Sequence, residues 1–152
     1  MNGVFSAQER LESLKAAALT GLSAGSTAML ILLAHRSSAL GWDKALASVA
    51  NLGLGGLGFW LGAAIATLSG SLFGITYRYA VRQDENPQLK SGVVLAFGLV
   101  RGSAQVDVGS ALAQQNWPFL TAVAESLLIF GTAGLFLDLA LHRGWISPFK
   151  SS

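Results

Sequence analysis

Charge is scarce in this chain. Ten Lys/Arg and eight Asp/Glu make up 12% of its 152 residues, against about 25% in an ordinary soluble domain. Cysteine is absent and proline occurs three times. The lack of cysteine excludes a disulfide framework, a thiolate metal site and a cysteine nucleophile. With 52% hydrophobic residues and a mean hydropathy of +0.52, a soluble fold could bury such a core but could not cover it. Disorder is excluded by the same composition, because disordered chains are poor in hydrophobes. There is no HExxH, Walker loop, serine elbow or carboxylate cluster at metal spacing. The segments between apolar runs are too short to build a water-excluded catalytic site. Neither an enzyme, a metal site nor a nucleic-acid partner is expected. What is present is 18 glycines and several long runs without charge, the composition of an all-α membrane protein forming one domain.

A hydrocarbon core of about 30 Å is crossed by roughly 20 apolar residues in a helix. Four segments meet that need: residues 16–36, 57–77, 91–112 and 118–141. The run between Lys44 and Arg78 has 33 uncharged residues, too long for one untilted span. The cluster Gly53, Gly55, Gly56 predicts a break there, since glycine weakens helix interiors. Residues 45–55 then form an interfacial lead-in. Proline at 118 suits the first turn of the fourth span. The N-terminal stretch MNGVFSAQERLESLK is amphipathic, is predicted to lie along the inner surface, and shows no cleavable signal. Seven of the ten cations (Arg10, Lys15, Arg78, Arg82, Lys90, Arg143, Lys150) fall on the side of the termini. Only Arg36 and Lys44 fall on the other, and Arg101 is within the membrane. The positive-inside rule therefore predicts both termini in the cytoplasm or stroma. Trp42, Trp60 and Trp117 mark the outer interface and Trp145 the inner one.

Helices in a membrane associate by close packing of small residues. The second span carries Gly58, Gly62, Ala66, Gly70 and Gly74, one small residue every four positions. This predicts a groove along one face, used for internal packing or for a lipid, pigment tail or partner helix. Gly21 and Gly25, and Gly98 and Gly102, repeat the spacing on the first and third spans.

Ionisable residues at membrane depth are costly and usually paired. Arg101 lies about 16 Å beyond Lys90 and Glu125 about 10 Å beyond Pro118, at 1.5 Å per helical residue. From opposite sides of the bilayer these depths nearly coincide. An Arg101–Glu125 ion pair is expected, with Gln105 one turn beyond; it would fix helix register, form a polar step in a path, or anchor a head group. Asp107 and Asp138 are expected to be solvated near the span ends. His35 and His142 lie at opposite membrane faces and so cannot share a metal. Each suits a helix C-terminus, where the dipole favours a cation, and either alone could ligate a pigment.

The densest polar stretch is the inner loop and its flanks, residues 74–102. Asp84, Glu85, Asn86 and Pro87 read as a tight turn. Arg78, Arg82, Asp84 and Lys90 are the candidate contacts to a partner or to anionic lipid; the simpler reading is a hairpin rich in topological signal.

The segment RYAVRQDENPQLKSGVVLAFGLVRGSAQVDVG resembles the signature of a small four-span membrane family found in cyanobacteria and chloroplasts. The resemblance extends over roughly residues 45–145. It implies a photosynthetic membrane, thylakoid or envelope, and brings no activity or site residues with it. A fainter similarity is to the preprotein and amino-acid transporter family, through Asp84 and the pair Ser91-Gly92. The arginine of that motif has no counterpart at Ala80, with Arg78 and Arg82 on either side. The expected function is a non-enzymatic accessory, assembly or structural subunit of a thylakoid membrane complex. Membrane lipids and other membrane subunits are its expected partners, and lipid, chlorophyll or carotenoid its possible ligands. The alternative is a small channel or translocase-like component, in which Arg101 lines a polar path.

Overall fold

The computed structural model describes residues 6–51, 53–84, 86–105 and 116–149. They form five helices: α1 (Ala7–Leu40), α2 (Trp42–Ala50), α3 (Leu54–Val81), α4 (Pro87–Ala104) and α5 (Asn116–His142). Three of them, α1, α3 and α5, are long and apolar enough to cross a membrane. The third expected span, 91–112, coincides with α4 only in part, because residues 106–112, Asp107 among them, lie outside the described residues.

Local chemistry sets the ends of these helices. Ser6 caps α1, its Oγ accepting from the Glu9 amide at 3.2 Å, the usual role of serine before a first turn. No proline interrupts Ala7–Leu40, and Gly21 and Gly25 within it are packed against α3, so α1 runs on for 34 residues, about 51 Å at 1.5 Å each. The charged N-terminal stretch is therefore not a separate surface segment: from Ala7 onward it is the first turns of α1. That helix stops at Gly41, whose φ of 82° suits glycine. The break after α2 falls at residues 51–53, slightly earlier than the glycine cluster suggests, with Gly55 and Gly56 already inside α3. Gly56 is needed there, because a side chain would collide with the Asn51 carbonyl. Asn86 caps α4, accepting from the Gln88 amide at 3.0 Å, with Pro87 in the first turn.

Small residues form two tight seams. Along α1–α3, a Cβ on Gly70 would meet Ala24 and the Thr20 carbonyl, and one on Gly74 would meet Thr20 and the Ala16 carbonyl. Gly62 approaches Leu32, and Ala66 is fully buried. From the other side Gly21 and Gly25 receive Ser71 and Thr67. The expected groove of α3 is thus filled by α1, except at Gly58, which faces nothing within 4 Å. The α4–α5 seam places Gly98 against Leu127 and Gly102 against Val123. Between the seams Phe73, Phe97 and Phe130 form an aromatic cluster with centroids 5.3–5.5 Å apart. Large apolar side chains such as Leu30, Leu68, Val100 and Leu135 project outward, as do all four tryptophans. Small residues inside and large ones outside is the arrangement expected when the surrounding solvent is lipid.

Candidate functional site

The two seams do not close on each other everywhere. Phe73 and Phe97 meet edge to face at 5.4 Å. Towards the α2 end of the bundle α3 and α4 leave a cleft of about 580 Å³, within the ~300–1,000 Å³ usual for ligand sites. Its walls include Ile65, Ser69 and Leu72 from α3, Phe97, Val100 and Arg101 from α4, Gln105 just past the end of α4, and Phe130 behind. Most of that lining is apolar. Arg101 brings the one charge among these lining residues, on the last turn of α4, where the helix dipole favours a cation.

The Nε of Arg101 is buried and has no hydrogen-bond partner among the described residues. The expected ion pair with Glu125 is not formed. Glu125 instead pairs with His35, Oε1 to Nε2 at 3.0 Å. The reason is angular. Val123 and Leu127 both face α4, and Glu125 lies two residues from each, about 200° around the helix. It must point away from α4, and does so towards α1. The levels do coincide: by the same contacts, Arg101 stands opposite residues 124–125. Gln105 turns towards α5, where its Oε1 accepts from Ser126 Oγ at 3.5 Å.

At the other end of the bundle the polar residues hold the fold together. Arg78 is 1% exposed and therefore is not a contact for lipid or a partner. Its Nε donates to the Ser147 carbonyl at 2.9 Å, Nη1 to Ser13 Oγ at 2.9 Å, and Nη2 to the Glu9 carboxylate. Its charge also faces the rings of Tyr79 and Phe149. Beside it Glu12 accepts from the Ser147 amide at 2.8 Å and from Lys15 at 2.8 Å. The sequence reading missed this cluster; Glu9 and Ser13, four apart on one helical face, are the signal that could have pointed to it, while its completion by residues 146–149 was not legible in any pattern.

Lys90 also turns inward, to Asp138 Oδ1 at 3.2 Å, an oxygen that accepts from Tyr77 OH at 2.9 Å. Asp138 is thus not a solvated end cap: it joins α3, α4 and α5. Arg82 and Asp84 remain exposed. Arg82 ends α3 with a φ of 51° and lies over Phe149, while Asp84 accepts from the Asn86 amide within the turn. His142 is exposed at the end of α5, its Nδ1 at 2.8 Å from the Asp138 carbonyl. His35 lies five residues before the end of α1 and is held by Glu125 rather than by a helix terminus. A crevice lined by Arg82, Asp84, Lys90 and His142 measures about 240 Å³, smaller than the ~300 Å³ from which ligand pockets usually start.

No family model, curated protein or solved structure matches this chain. Chemistry must therefore be read from the side chains. Among the described residues no group of three or more His, Asp or Glu is placed to hold a metal ion. Arg101 stays protonated under all ordinary conditions and presents N–H donors only. It can bind an oxyanion but cannot act as a general base or nucleophile.

Proposed function

We propose that this chain is a four-span membrane protein working as a non-enzymatic accessory, assembly or structural subunit of a larger membrane assembly. The supporting observation is the α3–α4 cleft, where a buried arginine N–H with no partner among the described residues sits in a largely apolar, open site. In a membrane such a group is costly unless something completes it, so the cleft is half of a contact. In this reading α4 together with the chain that follows it is the third span. The seven cations on the side of the termini orient both ends to the cytoplasm or stroma. A thylakoid location, and chlorophyll or carotenoid as ligands, rest on the sequence resemblance alone. A transport path through Arg101 is less well supported, because Leu72, Phe97 and Phe130 form the cleft beside it. Purification of a tagged chain in mild detergent tests the reading. Other membrane subunits should co-purify in fixed ratio; recovery without other proteins or pigment contradicts it.

A further inference from the structure

Resting on the reading of this chain as an assembly subunit, we propose that the Arg101 cleft is filled by a second copy of the chain, which supplies Glu125. Three observations lead there. The first is charge: Arg101 has a buried Nε with no partner, and no carboxylate among the described residues lies in ion-pair reach of it. The second is the state of Glu125. Its Oε1 meets His35, while Oε2 has no hydrogen bond among the described residues, and its side chain is 26% exposed. The third is level. Through the α4–α5 seam, Arg101 and Glu125 stand at the same height in the bundle. Every copy inserted with the same charge bias has the same orientation, so Arg101 of one copy and Glu125 of its neighbour meet at equal depth.

The surfaces suit this contact. Leu128, three residues beyond Glu125 on α5 and so beside it on the helix surface, projects outward at 60% exposure. It gives the carboxylate an apolar neighbour that can enter a cleft walled by Ile65, Phe97 and Val100. Small residues on the wall, Ser69 and Ala104, let a helix come close. Guanidinium and carboxylate then form a charge-assisted contact out of water, with His35 retaining the other oxygen. The two faces are different, so the contact is head-to-tail. It closes into a ring if the rotation permits and otherwise propagates.

Charge reversal in trans tests this. Arg101→Glu and Glu125→Arg chains, differently tagged, are reconstituted in nanodiscs of neutral lipid, singly and mixed. Each variant alone should lose self-association by about three- to thirtyfold, the span of interhelical polar pairs in membranes. Mixing them should restore it, since the new carboxylate of one chain then faces the new guanidinium of its neighbour. The chain carrying both reversals should self-associate like the original, and serves as the check that folding survives. The proposal is overturned if the unaltered chain is monomeric, if a single reversal leaves association unchanged, or if mixing restores nothing. It is also overturned if association requires anionic lipid, which would assign the cleft to a head group. Loss of the accessory reading would show instead as absence of other subunits from the native preparation, independently of the copy number.

Discussion

Arg101 and Glu125 stand at one level of the bundle and on opposite faces of it. The α4–α5 seam produces both facts: Gly98 and Gly102 lock onto Leu127 and Val123, which fixes height and turns Glu125 towards His35. The arginine is left to a cleft whose described walls hold no anion, so its effect on the isolated chain differs from that of a paired arginine.

Removing it tests that difference. In monomeric detergent preparations Arg101→Leu should leave unfolding stability unchanged or raise it by about 1 kcal/mol, because a costly desolvated cation is lost. A paired arginine would instead cost about 3–5 kcal/mol on truncation. Reversible unfolding in mixed micelles separates the two outcomes.

Arg78 makes the opposite prediction. Arg78→Leu leaves Glu9 and the Ser147 carbonyl without their donor, a change worth about 3–5 kcal/mol for a buried pair losing one member. Limited proteolysis should then cut within residues 146–149, which the unaltered chain protects.

Glycines of the same spacing should behave differently. Gly70→Leu and Gly74→Leu drive side chains into α1 and should each cost at least the ~1–3 kcal/mol typical of overpacking. Gly58→Ala has open space and should be neutral or slightly stabilising through helix propensity. Thermal unfolding of the three variants in one detergent is sufficient.

What could be read from the chain divides along physical lines. Quantities that depend on counting along a helix were legible: the small-residue register of α3 and the equal level of Arg101 and Glu125. Direction around a helix was not, because it depends on which neighbour each seam selects. That is why the two charges matched in height yet missed each other. Contacts closing over long separations were also hidden, such as Arg78 to Ser147 and Lys90 to Asp138. Arg78 and Lys90, which read as part of a charged surface, turned out to be internal ties of the bundle end where α3 turns into α4.

The central claim is that a second chain completes the cleft. Because the chain has no cysteine, Val100→Cys in one tagged copy and Ala124→Cys in another provide a unique cross-link beside the two charges. Oxidation in nanodiscs should join the two tags, and Arg101→Glu added to the first chain should suppress the product. No disulfide between differently tagged chains, or equal yield with Arg101 reversed, would contradict the account.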